Sequence, residues 1–217
     1  MKHLHSFANQ SAHTLGNDYD FRVPMLFRHF ALVGIIGLVF AALGNYLSLP
    51  REIQLLIGFL SFLALLPALT VWGIVKVTKQ VRFRLRERMV NTIPWRGDER
   101  VLDVGTGNGI LLIGCAKRLT TGRGIGIDIW IPNAGGGTSE LFWRNAHAEG
   151  VADRVEVQNV DARKMPFKDG SFDAIVSSFA LHHIGHSDGG LTRAASEMLR
   201  VLKVGGYMTL YDISPMI

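Results

Sequence analysis

Apolar residues are concentrated in two uninterrupted runs in the first third of the chain. The twenty residues from Phe30 to Leu49 and the twenty-three from Ile53 to Val75 contain no charged side chain. At ~1.5 Å rise per residue, each run as a helix can cross a hydrocarbon core of ~30 Å. Because only residues 50–52 separate the runs, the pattern predicts an antiparallel transmembrane hairpin over residues 29–75.

The composition of the two runs predicts how the helices pack. In the first run small residues recur at three- and four-residue steps, a spacing that suits close helix contact; they are Gly34, Gly37, Ala41 and Gly44. Pro67 lies inside the second run and is expected to kink it. Two other interpretations stay open, namely a signal peptide at the first run and a buried dimerisation element of a soluble protein.

Charge divides the chain in the same way as hydropathy. Residues 1–88 contain ten Lys/Arg and four Asp/Glu, whereas residues 89–217 contain thirteen and fourteen. The basic residues flank the outer ends of the two runs, so both hairpin ends and the rest of the chain are predicted to be cytoplasmic. The C-terminal part has no basic excess, which disfavours nucleic acid as a partner.

A basic segment follows the second run. Its charged residues are Lys76, Lys79, Arg82, Arg84, Arg86 and Arg88. Val81, Leu85 and Met89 are spaced four apart, which predicts a helix. We interpret residues 76–94 as a basic linker helix along an anionic membrane surface. Residues 1–28 form a polar tail whose histidines, His3, His5 and His13, are expected to be solvated.

After Pro94 the pattern changes to short apolar runs that alternate with helical segments. Strands are predicted at 100–104, 124–129, 155–160, 172–177 and 207–211, and helices at 110–119, 138–149 and 191–202. Such alternation with short connections predicts an α/β domain over residues 95–217, with a doubly wound, mostly parallel, Rossmann-like sheet. Its ligand is expected across the carboxyl ends of the strands.

The strongest local signal is the glycine-rich loop that follows the first of these strands. Asp103-Val-Gly-Thr-Gly-Asn-Gly109 lets the backbone approach a ligand closely, and the next helix offers unpaired N–H groups. Asp128 ends the second strand, where a carboxylate can accept hydrogen bonds from a ribose diol. Asp161 ends the third strand and is a candidate acceptor for an adenine amino group, or alternatively a turn-forming residue.

The spacing of the glycines discriminates between two nucleotide cofactors. A pyrophosphate-binding loop is usually G-x-G-x-x-G/A, whereas this loop is G-x-G-x-G followed by Ile110. The carboxylate of Asp103 would repel a pyrophosphate and suits a cationic amino group. The loop therefore favours S-adenosyl-L-methionine (SAM) over a nicotinamide dinucleotide.

On the basis of these residues, the segment 100–212 resembles the class I SAM-dependent methyltransferases. The resemblance is strongest to the small-molecule branch that includes the ubiquinone/menaquinone methyltransferases. The matching motifs, in the family's order, are 103–109, 126–128, 161–162, 165–167, 171–173 and 199–206. The resemblance implies SAM as methyl donor and S-adenosyl-L-homocysteine as product. The cofactor-binding residues it implies are Asp103, Gly105, Thr106, Gly107, Asn108, Gly109, Asp128, Ile129, Asp161, Ala162 and Ser178.

The chain departs from the family pattern in two places. The family normally has a sixth and a seventh strand, but this chain ends at Ile217. We expect either a truncated sequence or a sheet completed differently, for example by a partner chain in a homodimer. Residues 130–137 replace a short link with a longer glycine-rich loop, either a lid over the cofactor or a surface insertion.

Methyl transfer from a sulfonium needs alignment of the reactants, and a base only where the acceptor must lose a proton. His182 and His183 are the candidate bases, with His186 and Asp188 behind them; alternatively the histidines only shape the pocket. The Asn/Asp-Pro-Pro-Tyr signature is absent, which disfavours DNA-adenine and protein-glutamine acceptors. Cys115 is the single cysteine, so no cysteine-based zinc site and no thiol-dependent arsenic methylation is expected, and no metal site is predicted.

Together these features predict a membrane-anchored SAM-dependent methyltransferase that acts on a small, lipophilic acceptor. The expected partners are that small-molecule or lipid acceptor and the membrane. Two alternatives stay open. One is a nicotinamide-dependent reductase on the same fold, and the other is a non-catalytic, SAM-binding scaffold protein of the membrane.

Overall fold

A computed structural model of the chain describes residues 25–44, 46–131, 137–184 and 189–212. The chain divides into two compact units between Arg82 and Phe83. The first contains the two apolar runs and the second contains the α/β segment.

The first unit is a pair of helices, α1 (Met25–Ala42) and α2 (Arg51–Val90), of which α2 continues beyond the unit. The glycines of α1 mark where α2 approaches. A Cβ added to Gly34 would lie 2.5 Å from Leu65 Cγ, and one added to Gly37 would overlap the side chain of Ser61. Ser61 is itself buried, and its hydroxyl donates to the carbonyl of Ile57 (2.6 Å). The predicted close packing through small residues is therefore confirmed.

Helix α2 runs without interruption through the predicted boundary at Val75. The predicted linker segment, residues 76–94, is therefore helical as far as Val90 and continues directly from the second apolar run. Residues 74–90 contain neither glycine nor proline, so a change from apolar to basic side chains does not end the helix. Pro67 also lies inside it.

By length and composition, α2 is the one described helix that could cross a membrane. Only 6% of its most apolar 18-residue window is buried in the structure. The apolar part of α1, Phe27–Ala42, is shorter. Both helices leave large apolar side chains exposed, among them Leu32, Val33, Leu55, Phe59 and Ile74.

The second unit contains the predicted alternation of strands and helices. The strands are β1 (Arg100–Val104), β2 (Arg123–Asp128), β3 (Val155–Asn159), β4 (Phe172–Ser178) and β5 (Leu202–Tyr211). The helices are α3 (Ile110–Ala116), α4 (Ser139–Ala148) and α5 (Gly190–Val201), with a 3₁₀ turn at Leu181–His183. Strand β5 begins five residues before its predicted start because it is bulged. Leu202 pairs with Phe172 and Tyr207 with Ala174, so the intervening residues bulge out of the ladder.

The described strands form one sheet in the order β3-β2-β1-β4-β5, with every pair parallel. This confirms the predicted Rossmann-like α/β fold. One buried cluster joins the sheet to the end of α2, α3 and α4, and a second lies on the face covered by α5. The strand order reverses between β1 and β4, and ligands of such sheets bind in the crevice outside the carboxyl ends at this point.

Candidate active site

Asp103 lies one residue before the end of β1 and is only 1% exposed. Its Oδ2 accepts hydrogen bonds from the hydroxyl of Thr106 (2.9 Å) and from the backbone N–H of Leu112 (3.1 Å). Burial raises the pKa of this carboxyl to about 7, because desolvation outweighs the two hydrogen bonds. Asp103 therefore ties the strand, the glycine loop and α3 together, a structural role that the sequence did not indicate.

The glycine loop occupies backbone conformations that other residues adopt only with strain. Gly105, Gly107 and Gly109 have φ angles of 75°, 50° and 83°. A Cβ on Gly105 would overlap the Cβ of Ala180, and one on Gly109 would lie 2.5 Å from Phe142 Cδ2. The loop is thus packed against the segment that follows β4 and against α4.

Asp128 ends β2 and holds the glycine loop from the other side. Its Oδ2 accepts from the N–H of Gly107 (2.8 Å) and its Oδ1 from the N–H of Trp130 (2.9 Å). The indole N–H of Trp130 donates to the carbonyl of Gly107 (3.4 Å). Each carboxylate oxygen has a further lone pair, so Asp128 can still accept from ribose hydroxyls.

Asn108 connects the same loop to α4. Its carbonyl accepts from the side-chain amide of Asn145 (3.0 Å), and its Oδ1 accepts from the N–H of Thr138 (3.2 Å). Thr138 in turn caps α4, with its hydroxyl accepting from the N–H of Leu141 (3.2 Å). The start of α4 is thereby fixed beside the loop.

The end of β3 lies beside the end of β2, because the N–H of Val160 donates to the carbonyl of Asp128 (3.2 Å). Asp161 accepts from the backbone N–H of Arg163 (2.8 Å) and from its guanidinium (2.6 Å). The hydrogen bond with Arg163 lowers the pKa of Asp161. This is the geometry of the turn-forming alternative, and contact between Asp161 and adenine stays a prediction.

The structure shows where three further predicted cofactor-binding residues lie. Ala162 is half-buried against the second core cluster. Ile129 follows β2 and is 45% exposed. Ser178 ends β4, paired with Tyr211 of β5. Ile129 and Ser178 thus lie at the carboxyl edge of the sheet, as predicted, and the contacts of all three with a cofactor stay predictions.

The two candidate bases lie in the 3₁₀ turn after β4. Nδ1 of His182 is 2.6 Å from Oδ1 of Asp212, and the rings of His182 and His183 lie 3.9 Å apart between centroids. The neighbouring Ala180 is the residue that meets Gly105. The fold therefore brings the histidine turn to the glycine loop. His186 and Asp188, predicted behind them, lie outside the described residues.

Sequence reasoning missed three residues at this edge of the sheet, Trp130, Phe179 and Asp212. Trp130 and Phe179 have left-handed φ angles of 38° and 53°, which are strained for such side chains and often mark functional sites. The ring of Phe179 packs edge-on against Tyr211 (5.2 Å between centroids). Each of the three follows the end of a parallel strand, the one signal that could have identified them.

Cys115 is buried within α3. Burial raises the pKa of its thiol, which keeps the sulfur protonated and unreactive. Cys115 therefore belongs to the core and not to the site.

Comparison with known proteins identifies the class to which this fold and site belong. The family described as "Methyltransferase domain" matches residues 102–210, half of the chain. The chain therefore belongs to this family, the class I SAM-dependent methyltransferases. This membership overturns the alternative of a nicotinamide-dependent reductase.

Two methyltransferases are similar in sequence to more than half of this chain. The ubiquinone/menaquinone biosynthesis C-methyltransferase UbiE of Chromobacterium violaceum is 34% identical over 120 residues, which cover 55% of this chain and 45% of the relative. The 27-O-demethylrifamycin SV methyltransferase of Amycolatopsis mediterranei is 31% identical over 131 residues, covering 59% and 44%. The chain thus spans less than half the length of these relatives.

One solved structure shows the same fold. It is a Methanococcus maripaludis protein whose assignment as a SAM-dependent methyltransferase is itself provisional. The TM-score is 0.50 at 22% identity, covering 61% of this chain and 55% of that one.

The residues at the carboxyl edge fit SAM as the family's methyl donor. Asp128 ends β2, and each of its carboxylate oxygens keeps a further lone pair that can accept from the hydroxyls of a ribose diol. The buried Asp103 provides a negative charge for a cationic amino group once it ionises.

Proposed function

We propose that this protein is a membrane-anchored SAM-dependent methyltransferase that acts on a small, lipophilic acceptor. One observation carries the catalytic part of the proposal. The histidine turn packs directly against the glycine loop, through Ala180 and Gly105, at the switch point of the sheet. A methyl donor in the loop and a proton acceptor on the turn would therefore be neighbours.

The side chains of the site have distinct tasks in this proposal. SAM supplies an activated methyl group and needs no further activation by the protein. Asp128 binds the ribose hydroxyls, and Asp103 attracts the cationic amino group. Ile129 and Ser178 line the edges of the crevice. What remains for the protein is to align the acceptor, exclude water and, where the acceptor carries a proton, remove it.

The membrane part of the proposal is supported by the first unit. Its helices expose large apolar side chains along their length, a surface that water would solvate poorly. Near the end of the apolar stretch, Nζ of Lys76 lies over the ring of Trp72 (4.8 Å to the centroid). Tryptophan with an adjacent lysine is typical of a membrane–water interface. Basic residues beyond Lys76 support cytoplasmic ends for both helices.

The acceptor class is inferred from two relatives, one named for ubiquinone/menaquinone biosynthesis and the other for a rifamycin. Both names refer to small molecules. A quinone-like acceptor would partition into the membrane in which we propose that the hairpin is inserted. A quinol is therefore the acceptor that we propose to test first.

The test uses the full chain reconstituted in lipid nanodiscs. Calorimetric titration should show binding of SAM and S-adenosylhomocysteine but not of NADH. Incubation with methyl-labelled SAM and a decyl-substituted 1,4-naphthohydroquinone should transfer label to the acceptor and release S-adenosylhomocysteine. Binding of SAM without release of product on any lipid extract would instead favour the scaffold alternative.

Membrane insertion is tested separately in cells. The full chain should stay in the membrane fraction after alkaline carbonate extraction, whereas a variant that lacks residues 25–75 should be released. Release of the full chain would contradict membrane anchoring and leave the catalytic proposal standing.

A further inference from the structure

The carboxylate of Asp212, directly after β5, collects several donors from the histidine turn. Its Oδ2 accepts from the backbone N–H groups of Ala180 (3.2 Å), Leu181 (2.7 Å) and His182 (3.3 Å). Its Oδ1 lies 2.6 Å from Nδ1 of His182. The same carboxylate thus fixes both the backbone of the turn and the ring of one histidine.

The chemistry of the donor set determines which ring nitrogen of His182 carries the proton. An ionised carboxylate is an acceptor only, so the short contact requires that Nδ1 donates. In the neutral ring Nε2 then holds the lone pair. Side-chain exposures of 26% for His182 and 20% for Asp212 leave the pair partly shielded from solvent, where a charge-assisted hydrogen bond is stronger than in water.

We infer that Asp212 is a positioning residue that holds His182 as the general base, and that the acceptor is methylated at a group that loses a proton. This inference rests on the proposed function. Acceptors of this class are hydroxyl groups and carbon atoms acidified by an adjacent phenol or enol. Acceptors that react through a neutral lone pair, such as thioethers, would gain nothing from the pair.

The acceptor atom gives its proton to Nε2 of His182, and the electron pair of that bond forms the new bond to the methyl carbon. The sulfur leaves with the electron pair of the broken carbon–sulfur bond, as a neutral thioether. Asp212 stabilises the resulting imidazolium, which later releases its proton to water.

The position of the turn supports this role. Ala180 contacts Gly105 of the glycine loop, so His182 lies two residues from a direct contact with the cofactor cradle. Phe179 and Tyr211, which flank the turn and Asp212 in sequence, present aromatic rings that are 42% and 45% exposed. These rings provide an apolar wall beside the base, which suits a lipophilic acceptor.

The first test needs no acceptor. The full chain in nanodiscs, labelled with ¹⁵N in the histidine rings, is compared with Asp212→Asn, and the signal of His182 is assigned by its loss in His182→Gln. We expect the Nδ1–H tautomer of His182 in the natural protein and its depletion in Asp212→Asn, whose amide still accepts from the backbone. An Nε2–H tautomer in the natural protein, or an unchanged tautomer in Asp212→Asn, would overturn the inference.

The second test measures turnover of the decyl naphthohydroquinone. We expect His182→Ala to lower kcat about 10²–10⁴-fold, with partial rescue by added imidazole, and Asp212→Asn to lower kcat at least about tenfold. KM and the SAM dissociation constant should stay within about threefold, which a general loss of structure would not allow. The exposed Asp153→Asn is the matched control.

The outcomes separate this inference from the proposed function. Full turnover by His182→Ala, or loss in His183→Ala alone, would overturn the assignment of the base. If the natural protein methylates no acceptor, the proposed function fails, and the tautomer comparison still decides whether Asp212 positions His182.

Discussion

At the scale of single residues, the site is built from two carboxylates with opposite environments. Asp103 is almost fully buried, whereas Asp128 lies at the partly open end of β2 and binds two backbone N–H groups. Their positions at the carboxyl ends of two neighbouring parallel strands were predictable from the sequence. Their burial was not, because it depends on how the glycine loop folds back over β1.

Asp103 makes the stability of the protein depend on pH. Burial raises its pKa from 3.8 to about 7, so the folded state keeps a proton that the unfolded state releases between these pH values. Stability contributed by this group therefore falls as pH rises through that window, by at most ~1.4 kcal/mol per pH unit. Asp103→Asn should remove this slope, measured as the melting temperature of the full chain between about pH 5 and 7.5.

The same ionisation predicts how SAM binds. A cationic amino group favours the charged form of Asp103, so SAM affinity should increase as pH rises from about 6 to 7.5, with release of a proton. Calorimetry in buffers of different ionisation enthalpy measures that proton. If SAM affinity changed equally with pH in the natural protein and in Asp103→Asn, the assignment of Asp103 to the amino group of SAM would be contradicted.

Asp128→Ala tests the ribose-binding role. We expect SAM binding to weaken by roughly 1–3 kcal/mol, because the ribose hydroxyls and the N–H of Gly107 lose their acceptor. The dissociation constant from calorimetry is the measurement, and Asp153→Asn, on the exposed surface, is the control. An unchanged constant in a folded Asp128→Ala protein would exclude the contact.

At the scale of elements, the periodicity of apolar residues predicted every strand and α-helix of the α/β segment, but it did not predict where each element begins and ends. The boundary predicted at Val75, where apolar side chains give way to basic ones, lies inside α2, because nothing in residues 74–90 disfavours helix. Strand β5 begins earlier than predicted because Leu202 already pairs with β4. The residues between Leu202 and Tyr207 form a bulge, and their sequence does not resemble a strand. Asp212 was missed since its partners on the histidine turn are about 30 residues away in sequence.

The contact between the glycine loop and the segment after β4 can be tested at Gly105. Gly105→Ala adds a Cβ that overlaps Ala180 in a left-handed conformation, whereas Gly150→Ala adds one at a φ of 69° with nothing within 4 Å. Both should lose about 1–2 kcal/mol to the backbone, seen as a lower melting temperature. Only Gly105→Ala should also weaken SAM binding. Equal SAM affinity in both variants would show that this contact does not shape the cradle.

At the scale of the whole molecule, helix α2 belongs to both units. Its early residues pack against α1, and from Phe83 onward it is part of the α/β unit, where Met89 and Val90 lie in the core. Arg86 also bonds there to Glu149 (3.3 Å). The apolar side chains that the hairpin helices leave exposed are the reason for proposing that a lipophilic acceptor enters from the membrane.

Deletion of the hairpin distinguishes delivery of the acceptor by the membrane from simple recruitment of the enzyme to a membrane complex. We compare the full chain with a variant that lacks residues 25–75, using the decyl naphthohydroquinone in nanodiscs and the unsubstituted, water-soluble 1,4-naphthohydroquinone. Since the hairpin would concentrate the enzyme only where the lipophilic acceptor partitions, the deletion should lower kcat/KM for the decyl compound at least about tenfold. The deletion should change kcat/KM for the soluble compound by no more than about threefold.

The SAM dissociation constant of the deletion variant is measured first, because an unfolded α/β unit would lose both activities for a trivial reason. With SAM binding intact, equal loss on the two acceptors would contradict entry from the membrane, since the two compounds share the reacting ring and differ only in the chain that partitions. Adding detergent micelles offers a second comparison. Micelles should take up the decyl acceptor and so slow its methylation by the full chain, but they should not change the methylation of the soluble acceptor. The reason is that an enzyme supplied from the bilayer depends on the local concentration of its acceptor there.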